Sequence, residues 1–404
     1  MRFRSLVTVS ATSCVLASLA AAVLRCSVPP LPPGPEALPT SARLAAGGVV
    51  AVPPGATIDR AALIASLKEM RFTAVIIQAS ADASGESVAD RVSLAVELQA
   101  ALGANVFVGG YQAAAWNGLP MDALLQTDAT FNTCYPGGPA LDAGSPVIDK
   151  LRICAQDLDQ RITTELARVS ASPRVGCYVT HQPQLTDGLG DAGGTKLHDF
   201  FRDASNACTK ARRPVAVAPI LPAQLGAPAA AAAQLGSALQ DSGIALVILE
   251  DGVGKSQPAG TRRASAYYDA LRVALEDGTL SVWANIEAFE CAGDAGCDRT
   301  RPADSARFND QICGARGRAD GIIASEYLHH LAGRPLFTGD LAAAADASAE
   351  AGAIALRAIL DDIDASAQLR SGYLAWVDAG ASCAVAAADQ ADAAARADAA
   401  ASAR

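Results

Sequence analysis

The chain has 404 residues, enough for one large barrel or two smaller domains. Hydrophobic residues make up 51%, which excludes global disorder. A net charge of −10 with no Lys/Arg run excludes nucleic acid and anionic membrane surfaces as partners, and suits a neutral or weakly polar ligand.

The start, Met1-Arg-Phe-Arg, is basic, and Leu6 to Leu24 follows without a charge, with small residues Ala20, Ala21 and Ala22 offering a cleavage site. Residues 1–25 are therefore expected to be a secretory signal, and the protein to be periplasmic or secreted. An uncleaved anchor of about minimal span length is the alternative, and the only expected contact with a membrane. Arg25 stands where a lipidated Cys26 would need a small residue. Residues 26–43 form a proline-rich linker, residues 44–383 the folded body, and the Ala/Asp/Arg-rich stretch 384–404 a tail without site signal.

Within the body, short apolar runs alternate with amphipathic stretches. The strand candidates are Gly48–Val52, Thr73–Gln78, Asn105–Tyr111, Arg174–Thr180, Pro214–Ile220, Ile244–Glu250, Leu280–Glu287 and Asp320–Glu326. Helical patterns such as Arg60–Met70, Val88–Leu102, Ser265–Leu275 and Ser305–Ala315 lie between them. Continuous apolar runs are the mark of buried parallel strands, and eight of them predict a (β/α)8 TIM barrel. The alternative, an open doubly wound sheet, lacks a Gly-rich phosphate fingerprint after its first strand. A long insertion, Asn117–Pro146, follows the third strand.

Ten cysteines become eight once Cys14 and Cys26 are set aside with the leader region, an even number consistent with disulfides in an oxidising compartment. Cys291 with Cys297, around a short Gly-containing loop, is the first expected bridge, and Cys134 with Cys154 a second. Several could instead be buried thiols.

In a barrel the residues just past the C-terminal strand ends line the site. These are Gln78, then Tyr111, Gln112 and Trp116, then Tyr178, Thr180, His181 and Gln182, then Glu250 and Asp251, then Trp283, Asn285 and Glu287, and finally Glu326 and Tyr327. Amides, carboxylates and aromatic rings suit sugars, whose hydroxyls take polar partners and whose C–H faces stack on rings. No metal is expected, because adjacent His329 and His330 rarely both face one ion. No cofactor is expected either, and Ser256 and Ser325 lack a nucleophile elbow. A monomer is expected.

Gln78, Gly109-Gly110-Tyr111 with Trp116, Gly176-x-Tyr178, Glu250-Asp251-Gly252-Val253-Gly254 and Trp283-Ala284-Asn285-x-Glu287-x-Phe289 resemble an uncharacterised bacterial family. That family is catalogued as a domain of unknown function and described as glycoside-hydrolase-like TIM barrels. The resemblance covers about Gly47 to Leu331 and implies a barrel acting on carbohydrate. Barrel glycosidases of the retaining kind place carboxylates after strands four and seven. Glu287 matches the second position, as nucleophile or base. At the first, where the resemblance implies Glu, the chain reads Gln182, which cannot act as a general acid. Glu250 is then the expected partner carboxyl, ahead of Asp251 and Glu326. A barrel that binds glycans without cleaving them is the other reading.

Overall fold

Each of the eight apolar runs pairs with its neighbour in parallel. The computed structural model describes residues 47–52, 57–79, 87–111, 119–135, 138–179, 184, 190–221, 227–253, 264–275, 280–291, 300–325, 327–338, 361–379 and 383. Its barrel strands are β1 (Gly47–Val52), β2 (Ala74–Ala79), β3 (Asn105–Tyr111), β4 (Val175–Val179), β5 (Val215–Val217), β6 (Leu246–Glu250), β7 (Ser281–Glu287) and β10 (Gly321–Ser325). They close in the order β1-β10-β7-β6-β5-β4-β3-β2, a (β/α)8 TIM barrel. A hairpin of β8 (Phe289–Cys291) and β9 (Thr300–Pro302), unforeseen in the sequence, follows β7.

The helices are α1 (Arg60–Glu69), α2 (Val88–Leu102), α3 (Met121–Leu124), α4 (Val147–Arg168), α5 (Gly190–Ala204), α6 (Asn206–Lys210), α7 (Pro228–Leu239), α8 (Ser265–Ala274), α9 (Ser305–Ala315) and α10 (Ile363–Asp378), with a π-helix at Tyr327–Leu331. Their starts follow local chemistry. Ser87 and Asp90 form a reciprocal capping box on α2, which ends at Gly103 in the left-handed region (φ 64°). The Asp304 carboxylate accepts from the first amides of α9. Among the described residues no helix is long and apolar enough to cross a membrane.

Alternation along the strands separates two apolar cores. Outward side chains such as Val247, Leu249, Val282 and Ala284 pack against the helices. Inward ones fill the lumen: Ala74, Ile76, Phe107, Tyr178, Ala216, Ala218, Leu246, Ile248, Trp283 and Ile323. A Cβ on Gly321 would stand 2.7 Å from the Trp283 ring, so the bare glycine makes room for the indole.

The insertion after β3 is pinned from α4. Lys150, fully buried, donates through Nζ to the carbonyls of Asp128 (2.6 Å), Phe131 (2.9 Å) and Ala143 (3.5 Å). Cys134 bonds to Cys154 across the same junction, as the spacing led us to expect. Cys177 bonds to Cys208, and Cys313 to Cys383, pairs that the sequence left unassigned. Cys291 is disulfide-bonded, and Cys297 lies outside the described residues.

Asp159 of α4 is buried beside the Cys177–Cys208 bond, with oxygens of Asp159 and both sulfurs within 4.8 Å of one another. Both sulfurs are consumed in the disulfide, so this grouping is no metal ligand set as it stands. Burial raises the Asp159 carboxyl to about 7, against the lowering effect of the Ala207 and Cys208 amides that donate to it. The folded chain therefore holds a proton here that the unfolded chain releases near 3.8. Stability conferred by that proton is lost as pH rises from about 4 to about 7, on the order of 4 kcal/mol at most. Asp159→Asn is expected to remove this part of the pH dependence, read as the difference in denaturation midpoint between pH 5 and pH 8. An unchanged difference would contradict the assignment.

Candidate active site

Two groups of polar side chains occupy the C-terminal end of the barrel. Gln78, Glu250 and Ser325 each lie two residues beyond a lumen side chain (Ile76, Ile248, Ile323) and so share its face. Asn285 stands in the same relation to Trp283, and pairs in register with Glu250 on one side and Ile323 on the other. The apolar plug thus gives way to amides, a carboxyl and a hydroxyl toward the mouth. Glu250 and Asn285 are buried, Gln78 half-buried.

The second group centres on Glu287, two residues beyond Asn285 on the same face of β7, and on Asp251, the residue after β6. The side chains of Asp251 and Glu287 are hydrogen-bonded to each other. Gln311 of α9 bridges them, its Nε2 donating to Asp251 Oδ1 (2.7 Å) and Glu287 Oε2 (3.1 Å). Arg307, one turn earlier, donates to Gln311 Oε1 and sends Nη2 to the carbonyls of Glu287 (2.9 Å) and Phe289 (2.7 Å). Glu287 is 0% exposed and Asp251 2%. Burial pushes the Asp251 carboxyl up, opposed by hydrogen bonds from Glu287, Gln311 and the Val253 amide. A second negative charge in so dry a site is disfavoured, which works in the same direction as the burial that raises Asp251. The buried phenol of Tyr268 (α8) is held well above its ordinary range, by burial first and then by the charge of Asp251 and Glu287.

These positions revise the expected site. The carboxyl that shares Gln311 with Glu287 is Asp251, just past the end of β6, whereas Glu250 was the expected partner. Trp283 lies four residues, about 13 Å, before Glu287 along β7 and belongs to the lumen core, not to the pocket. Tyr178 is likewise a lumen-core ring. Tyr327 turns away altogether. It is 0% exposed, and its hydroxyl bonds with Ser66 Oγ (2.7 Å) and accepts from Arg370 Nη1 (3.0 Å), tying the π-helix to α1 and α10. Gln112, Trp116, Thr180, His181, Gln182 and Glu326 lie outside the described residues, as does the side chain of Tyr111. Of the two histidines, His330 is described: its Nε2 bonds with Thr300 Oγ1 (3.1 Å) and its ring packs 5.5 Å from Phe289, fixing the β8–β9 hairpin. Gln311, Arg307 and Tyr268 are members that the sequence reading missed. The one available signal was a glutamine on the buried face of an amphipathic helix.

Residues 174–338 match the family model described as Domain of unknown function (DUF4434). The match spans both the Glu250–Gly254 and Trp283–Phe289 segments. No curated protein matches the chain in sequence. Among solved structures, an endoglucanase of the GH5-4 type from Clostridium longisporum aligns at 9% identity and TM-score 0.42, over 82% of this chain and 97% of that one. A GH18 chitinase from Pseudoalteromonas aurantia aligns at 10% identity and TM-score 0.37, over 69% and 93%. The carboxyl transferase domain of Rhizobium etli pyruvate carboxylase aligns at 10% identity and TM-score 0.39, over 83% of this chain. The alignment spans 49% of that transferase chain, about half its length.

Proposed function

We propose that this barrel acts on carbohydrate as an exported glycoside hydrolase, with the Asp251–Glu287 pair as its proton-carrying unit. The observation that carries this reading is the direct hydrogen bond between two buried carboxyls at the C-terminal end. Such a pair keeps one carboxyl protonated near neutral pH, as protonation of a leaving oxygen requires. Carboxyls in direct contact are closer than the roughly 5 Å that separates acid from nucleophile in a retaining enzyme. The pair therefore acts as one acid. The second carboxylate is Glu250, which faces the lumen beside Asn285.

The test is a panel of neutral polysaccharides and oligosaccharides incubated with wild type, Asp251→Asn and Glu250→Gln, scored by release of reducing ends. Cleavage by the wild type and loss of about a hundredfold or more in both variants is the expected result. Undiminished cleavage by both variants would remove these carboxyls from the mechanism. The second reading, glycan binding without cleavage, draws on Gln182 in place of an acid and on the complete burial of Glu287. Binding without cleavage across the panel would establish it instead.

A further inference from the structure

Among the described residues, two amide oxygens at the top of the lumen have no donor. Asn285 is 3% exposed, and its Oδ1 is buried with no hydrogen-bond partner. Oε1 of Gln78, across the mouth on β2, is in the same condition. Both side chains face the lumen, and the Glu250 carboxyl stands next to Asn285 in register. The Ser325 hydroxyl is turned to the Ile286 carbonyl (3.5 Å). The nearby cation among the described residues, Arg307, directs both Nη atoms to Gln311 and to main-chain carbonyls on the helix side. A buried carbonyl oxygen without a donor burdens the fold, and two at one mouth call for a ligand that supplies the donors.

We infer that the lumen floor formed by Gln78, Glu250 and Asn285 is a specificity subsite for a hydrogen-bond-donating, uncharged or cationic sugar group, and that it rejects uronic acids. The inference rests on the carbohydrate reading above and adds the class of sugar. Hydroxyls of a neutral sugar, or the ammonium of an amino sugar, satisfy the two amide oxygens. A uronate would set its own oxygens against two unmet amide oxygens beside a carboxyl, at a buried site where such repulsion is little screened.

Oligomers of glucose, glucosamine and galacturonate are titrated calorimetrically into the full oxidised chain at about 0.5 M salt, where repulsion from the net charge is screened. Glucose or glucosamine oligomers are expected to bind, and galacturonate oligomers at least about tenfold more weakly. A preference for glucosamine over glucose identifies the donor as the ammonium, and equal affinity identifies it as hydroxyl. Asn285→Leu is expected to weaken the bound neutral or amino sugar about tenfold while raising the melting temperature of the unliganded protein, because the unmet oxygen is gone. Gln78→Leu, at the less buried edge, repeats the test should the first variant fold poorly. Galacturonate binding as tight as the others, or unchanged affinity in both variants, overturns the subsite and leaves the carbohydrate reading standing. If none of the three oligomers binds the wild type, the carbohydrate reading falls and the subsite with it.

Discussion

Glu287→Gln is expected to reduce turnover of any glycan the wild type cleaves by about 10²–10⁴, with little change in KM. The reason lies in the shared proton. A glutamine amide can still donate to Asp251, so the packing beneath α9 survives. Asp251 then faces a donor that never ionises, and nothing opposes its own ionisation except burial. The pair loses the proton it would deliver. In the wild type, turnover should fall as pH rises through the raised apparent pKa of the pair, since the acid form is the active one. In Glu287→Gln that alkaline limb should vanish along with the activity. A variant with wild-type turnover, or one whose alkaline limb stays in place, would show that the pair does not carry the proton. Gln311→Leu offers a milder companion. It removes the bridging amide, whose Nε2 reaches both carboxyls, without touching either of them.

The largest effect on stability is expected from Cys313→Ser. Its bond to Cys383 closes a loop of 70 residues and ties α9 to the chain beyond α10. Loop-closure entropy assigns such a bond about 4 kcal/mol at 25 °C. The shorter Cys134–Cys154 loop, with a separation of 20, is worth about 3 kcal/mol on the same scale. Urea denaturation under oxidising conditions should show the difference. Under strong reductant the two proteins should converge, because the wild type has then lost the same bond. A variant that matches the oxidised wild type would show that the bond restrains nothing. Helix α10 also has its own anchor, Arg370, which donates to Ser66, Tyr327 and the Ala332 carbonyl.

The barrel was legible because its strands are buried on both faces and so read as unbroken apolar runs. All eight expected runs became strands, displaced at their ends by at most a few residues. The hairpin was not legible, since three-residue strands leave no periodic signal. For the site, the sequence named the ends of β6 and β7, where Asp251 and Glu287 lie, and not the helix residue that joins them. Glu250 ends β6 and Asp251 follows it, and the sequence alone does not say which of two neighbouring carboxyls shares Gln311 with Glu287. Trp283 was misplaced for a related reason. It shares a face with Asn285, yet height along the strand matters as much as face, and two residues further from the mouth puts a ring into the core. Gln311 came from a helix, where one buried polar residue among apolar ones reads as an ordinary exception.

The lumen plug has a consequence for traffic. Ile76, Tyr178, Ile248 and Ile323 face one another across the barrel from alternate strands, with Trp283 in register beside Ile248. Among the described residues these side chains fill the lumen, so the barrel has no channel along its axis. Nothing can be threaded through it, so whatever enters at the mouth must leave by the same opening. A long chain can present a terminus to the mouth or lie across its rim, but cannot feed through from one side to the other.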